Sequence, residues 1–296
     1  MPLRGHAGFA SLPVSFARAA VCNDRSTRWE TGESAVTNVR VFFIGGYLSY
    51  RALFNWMHWS YYIPTMLGAP VFQVLFFAYM GRFAEVENDE FFVVGNAVQL
   101  SAMAGIYGMA MTVGGERWTQ TLSQLMATPA NRLPLFLGRA LPLIANGIIT
   151  SAFAFSVGWL LLDVDIAASQ IPALAVVVAV SAFSCTSLGL VVGAVGLRVR
   201  DVFFLANLVV YALVLFCGVN IPLDALPNWM ETVSRGLPLT HGIEAARAIA
   251  DGASLSEVGY LVWTELGIGA CYAAAAFGLF KLFEYEGRRR ASFESI

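Results

Sequence analysis

The stretch that decides the fold runs from Ile171 to Leu197 and reads IPALAVVVAVSAFSCTSLGLVVGAVGL. It contains no Asp, Glu, Lys or Arg, and its apolar residues do not alternate with polar ones. A bilayer core takes about 20 consecutive apolar residues in helical form. A continuous run of this kind therefore reads as a membrane-crossing helix, because a barrel strand would alternate with period two.

Working outward, Trp59–Met80, Phe91–Val113, Ala140–Leu162 and Val202–Leu223 are equally free of charge, and Val258–Phe280 carries Glu265 alone. The sequence thus predicts an all-α integral membrane protein with six transmembrane helices. Composition agrees: of 296 residues, 57% are hydrophobic and 13% charged, and the mean hydropathy is +0.65. A soluble domain cannot cover its surface with so little charge.

The basic residues set the orientation. With a cytoplasmic N-terminus, only Arg82, Arg235 and Arg247 of the 18 basic residues fall outside. Lys and Arg beside the spans favour the cytoplasmic side, so both termini are expected there and the chain is a multi-pass protein of the cell membrane. Residues 1–36 read as a loosely ordered tail, 37–283 as the transmembrane domain and 284–296 as a basic tail. Between Thr37 and Trp59, Arg40 and Arg51 punctuate a dense apolar segment that ends in aromatics, the pattern of an interfacial elbow helix. After the fifth span, Pro222, Pro227 and Pro238 break a long outer loop into short pieces. Re-entrant half-helices are expected there, one of them capped by Thr240 and carrying Ile243, Ala246 and Ile249 on one stripe.

Chemistry is sparse. The only lysine is Lys281 and no GxxxxGK[ST] occurs, so no ATP site is expected in this chain. HExxH and GxSxG are also absent, and Cys22, Cys185, Cys217 and Cys271 are scattered without metal spacing. No cofactor or metal is expected. His241 and Glu244 read as an exposed helix face. The candidates for a translocation path are Asn96, Gln99 and Ser101 in the second span, Asn207 and Tyr211 in the fifth, and Glu265 in the sixth. Interhelical hydrogen bonding is the competing role for each, and Glu265, as an intramembrane carboxylate, is a functional candidate by default. Gly189, Gly193 and Gly196 would permit close helix approach, within or between chains.

The stretch from Gly115 to Arg139, GERWTQTLSQLMATPANRLPLFLGR, is polar, lies between two spans and falls in the cytoplasm. Trp118, Leu122, Leu125 and Met126 share one helical face, and Pro129 ends the helix before Asn131 caps the next. It is longer than the two to eight residues of an ordinary helix connection.

That stretch, extended through Ala140–Pro142, and the later PLDALPNWMETVSRGLPLTHGIEAARAI resemble type-2 ABC exporter permeases of the daunorubicin-resistance and nodulation types. The resemblance extends from about Thr37 to the C-terminus. It implies that the cytoplasmic stretch is a coupling helix seated in a cleft of a P-loop ATPase subunit, present in two copies. Glu116, Arg117, Thr121, Leu122, Leu125, Ala127, Thr128 and Pro129 would make that contact. It also implies a second permease copy, identical or homologous, ATP and Mg held by the partner, and outward movement of an amphiphilic substrate: a drug-like metabolite, a lipid or a lipid-linked saccharide. Lipids are the other expected partner; nucleic acid is not. The excess of Arg over Lys points to a bacterial genome. Two other readings stay open, an intramembrane enzyme acting on lipids and a regulatory or inactive half of a heterodimeric permease.

Overall fold

From Gly68 onward the described residues form α1 (Gly68–Ala84), α2 (Asp89–Gly114), α3 (Arg132–Leu162), α4 (Ile171–Gly196), α5 (Val202–Phe216), α6 (Asn228–Ser234), α7 (Thr240–Ala250) and α8 (Gly259–Arg290). The computed structural model describes residues 40, 42–47, 68–85, 87–114, 132–199 and 201–290, the side chains of 132–136 and 284–290 excepted. No strand occurs among the described residues. Gly115–Asn131, with all eight coupling candidates and the expected Asn131 cap, lies outside them. So do the N-terminal tail and the start of the first span.

Among the described residues, four helices are long and apolar enough to cross a membrane: α2, α3 from Leu137, α4, and α8 as far as Phe283. They match the second, third, fourth and sixth expected spans. The first expected span is described from Gly68 onward as α1. The fifth departs from expectation. It was to run Val202–Leu223, yet α5 ends at Phe216 after 15 residues. Such a helix spans about 22 Å, short of the roughly 30 Å hydrocarbon core. The stop is local: Gly218 turns the chain with φ +72°, and Pro222 follows. Irregular backbone at membrane depth survives only inside protein, and Cys217, Gly218 and Val219 are indeed buried.

The hub of the bundle is α2, packed chiefly against α3 and α4. Within its spanning window 72% of α2 is buried, against 11% for α8, which lies at the periphery against α4. Small residues let α2 and α4 meet closely. A Cβ on Gly189 would lie 2.8 Å from the Ile106 Cα, and one on Gly193 would lie 2.8 Å from the Val113 Cβ. The glycines of α4 therefore serve packing within one chain. At the other side of the bundle, helical residues 42–47 rest on α3 where Gly46 meets Gly138, while Phe43 and Tyr47 stay exposed. Most of the expected elbow segment, Thr37–Trp59, lies outside the described residues.

Successive spans run antiparallel, so the end of α1, the start of α2, the α3–α4 turn and α6–α7 share one face. Arg82 and Asp89 clamp the α1–α2 turn there by a bidentate ion pair. We refer to it as the Arg82 face.

Candidate transport site

Half-helix α7 organises the polar groups beneath the Arg82 face. Its apolar stripe is as expected: Ile243, Ala246 and Ile249 are all buried against α2, α4 and α8. Its N-terminus is not as expected. The N-cap position is Leu239, at φ +89° and without a side-chain cap, so Thr240 is the first helical residue and not the cap. The Thr240 hydroxyl is instead drawn back to α6, donating to the Ser234 carbonyl at 2.8 Å.

The missing cap comes from α8. Glu265 is completely buried, and its Oε1 accepts the Leu239 N–H at 2.7 Å across 26 residues of sequence. An anion at a helix N-terminus meets unpaired N–H donors and the positive end of the dipole, which offsets part of its desolvation. Gly242 permits the approach: a Cβ there would collide with the Ser181 Oγ and lie 4.0 Å from the Glu265 Cδ. One helical turn on, Gly269 packs against Ser184. Four atoms in this knot carry no hydrogen bond to the protein, namely Glu265 Oε2, Ser181 Oγ, Ser184 Oγ and His241 Nδ1. His241 is 7% exposed, which corrects the expectation of an exposed face. Burial pushes its pKa below the ordinary value.

The last turn of α7 is pinned as well. The Arg247 Nη2 donates to the carbonyls of Val219 at 3.0 Å and Phe91 at 3.2 Å, and its guanidinium stacks 3.4 Å from the Phe91 ring centroid. Burial lowers its pKa to about 10, so it remains charged at neutral pH. Its first acceptor belongs to the irregular segment after α5, whose free carbonyl Arg247 satisfies. Gly95 leaves the room for it.

Beside Arg247 lies a chain of amides. Gln73 of α1 donates through Nε2 to Asn96 Oδ1 at 3.0 Å and to Gln99 Oε1 at 2.6 Å. Asn96 in turn donates to Asn220 Oδ1 at 2.8 Å and to the Phe92 carbonyl at 2.9 Å. This chain ties α1, α2 and the segment after α5 together, and Arg247 ties that segment to α7.

The six path candidates therefore separate. Asn96 and Gln99 share the amide chain, whereas Ser101 bonds back to the Val98 carbonyl on its own helix. Asn207 accepts from the Tyr107 hydroxyl at 2.8 Å, and Tyr211 is 69% exposed on α5. Glu265 belongs to the α7 knot. Gln73, Asn220, Arg247, Ser181 and Ser184 are members that the sequence reading missed. Gln73, in the first expected span, carried a signal, since an amide inside an apolar run needs a partner.

No group of three or more metal-ligating side chains occurs among the described residues. What the arrangement can do is hold a short helix between two buried polar contacts while three spans converge on it.

The family model for "ABC-2 type transporter" matches residues 47–250. The chain is 22% identical over 194 residues to the "Probable multidrug ABC transporter permease YbhR" of Escherichia coli (strain K12), covering 65% of this chain and 52% of that protein. It is 31% identical over 103 residues to "Nodulation protein J" of Rhizobium meliloti (strain 1021), covering 35% of this chain and 38% of that protein. The matched part thus spans about half the length of these curated relatives or less.

Proposed function

As the chain belongs to the ABC-2 type transporter family, a family of membrane permease subunits, we propose that it is the membrane half of an ATP-driven exporter of amphiphilic molecules. The observation that carries the reading is the family match over residues 47–250, which takes in α1 to α7. A P-loop ATPase subunit, in two copies, supplies the energy. The stretch Gly115–Arg139 docks on it through Glu116, Arg117, Thr121, Leu122, Leu125, Ala127, Thr128 and Pro129. Apolar residues fill the cleft, and the two charges fix its orientation. Two permease copies, identical or homologous, enclose the pathway.

The distribution of Arg and Lys supports a cytoplasmic N-terminus, which makes the Arg82 face the outer one. Cargo crosses between two arrangements of the spans, and ATP binding shifts the balance between them. The printed name of the Escherichia coli relative, a probable multidrug permease, favours amphiphilic cargo. Apolar spans with few charges also suit it better than a small ion. Asn96, Gln99, Ser101, Asn207, Tyr211 and Glu265 are the candidates to line such a path.

The test is co-purification from the native host in mild detergent, beside a variant carrying Arg117→Glu, Leu122→Pro and Leu125→Ala. Recovery of a P-loop ATPase with the wild type, and its loss from the variant at equal membrane levels, is expected. An ATPase that follows both chains equally, or neither even after crosslinking, overturns the docking proposal.

A further inference from the structure

A lateral groove opens between α3 and α4 near the Arg82 face. Both helices pack on α2, and between them lies a cavity of about 460 Å³. Its floor is Ile148, Phe155, Leu174 and Val178, and Ile166 of the connecting turn closes one end. The rim is made of small side chains, Ala152 and Ser156 on α3 and Ala175 on α4, all exposed on the side of the bundle. Trp159 and Ile171 flank the mouth and are 64% and 57% exposed.

Three properties limit what can fill it. First, the lining offers water almost nothing. Ser156 already donates to the Ala152 carbonyl at 2.8 Å, and the Ser151 Oγ, buried and without a hydrogen-bond partner, is a single hydroxyl in an otherwise apolar lining. A held water needs two to four polar partners, and apolar cavities stay dry. Second, a second copy's span could enter only by its side chains, since a helix is about 10–12 Å across and the cavity holds about 460 Å³. Yet the groove is about three times the 150 Å³ that admits a benzene ring. Third, the groove lies within the spanning lengths of α3 and α4 and opens sideways, where the surroundings of a membrane protein are hydrocarbon.

We infer that the groove is a binding site for one acyl chain of a bilayer lipid, entering from the leaflet on the Arg82 side. The exporter reading bears only on which leaflet that is, the outer one. Chain ends settle on Phe155, Leu174 and Val178, and Trp159 sits at the level where indole rings favour the interface. Dispersion contacts along the floor replace those that an empty cavity forgoes.

The experiment is photolabelling of the full chain in nanodiscs of phosphatidylcholine and phosphatidylglycerol. They are doped with a phosphatidylcholine bearing a diazirine on one acyl chain, and labelled peptides are located by mass spectrometry. Residues 148–159 and 171–178 should carry several-fold more label than the start of α8, where Tyr260 and Trp263 are 70% and 72% exposed. The double variant Ala152→Phe, Ala175→Phe fills the groove from its exposed rim. It should lose that enrichment while α8 keeps its label, which also reports an intact fold. Label that follows exposure alone means ordinary annular lipid and overturns the site. So does enrichment that survives the filled rim. An efficient disulfide between two copies of Ser156→Cys, in a Cys271→Ser background, would make the groove a chain–chain contact and likewise overturn the proposal.

Discussion

Glu265 is the residue on which the local chemistry turns. It is a carboxylate in a span, yet its geometry is that of a cap supplied from elsewhere in the chain: its Oε1 takes up the Leu239 N–H of a helix that has no cap of its own. Removing it leaves a buried donor unpaired, which costs about 1–3 kcal/mol. Glu265→Ala should therefore lower the melting temperature and loosen α7, read as faster hydrogen exchange at 240–246, whereas Glu265→Gln, which retains an acceptor, should restore most of both. Equal effects of the two variants would contradict the capping role. His241 makes a pH prediction. Burial depresses its pKa, so its neutral form belongs to the folded state and its contribution is complete above the ordinary value of about 6.5. That contribution is lost as pH falls from there through the lowered folded value. Thermal stability should decline over this acidic window in the wild type and decline less in His241→Gln. Parallel profiles would show that His241 is not the group responsible.

Among the elements, α7 and the α2–α4 pair do different work. The α2–α4 contact is set by size. A side chain at Gly189 meets the backbone of Gly105 and Ile106, which cannot turn aside as a flexible side chain can. Gly189→Val should cost about 1–3 kcal/mol by overpacking, seen as a lower melting temperature in detergent with insertion unchanged. The α7 contact is set by polar pairing at both ends. Arg247 holds two carbonyls and an aromatic ring, a fork that an ammonium does not reproduce. Arg247→Lys should thus weaken α7 nearly as much as Arg247→Met, each by about 2 kcal/mol for bonds made by a charged donor. Full recovery in the Lys variant would show that charge alone suffices. Much of this level was legible beforehand. The stripe of α7 and four of the spans followed from periodicity and apolar length. The early end of α5 did not, because apolar length continues past Gly218 while the backbone turns there.

At the scale of the whole molecule, the chain is an asymmetric bundle with α2 at its centre and α8 outside. The amide chain and Arg247 join α1, α2, the segment after α5 and α7 on the Arg82 face. In the exporter reading, movement driven from the opposite face must pass through or break these contacts. Gln73→Leu with Asn96→Leu should then change drug efflux and ATP hydrolysis unequally in reconstituted complexes, and proportional loss of both would argue that the chain of amides only stabilises the fold. What the sequence by itself determined is whatever depends on neighbours along the chain: that the protein is an all-α membrane bundle, and which polar residues lie inside its apolar segments. Which polar residues meet was decided only in the tertiary structure. Arg247 reaches Phe91 across 156 residues and Asn96 reaches Asn220 across 124. Hydrophobic periodicity fixes which face of a helix turns inward but says nothing of what faces it. A buried polar group's energy, in contrast, depends almost wholly on its partner. Span packing therefore made Glu265 the cap of α7, and brought Gln73 and Arg247 to partners that no local pattern names.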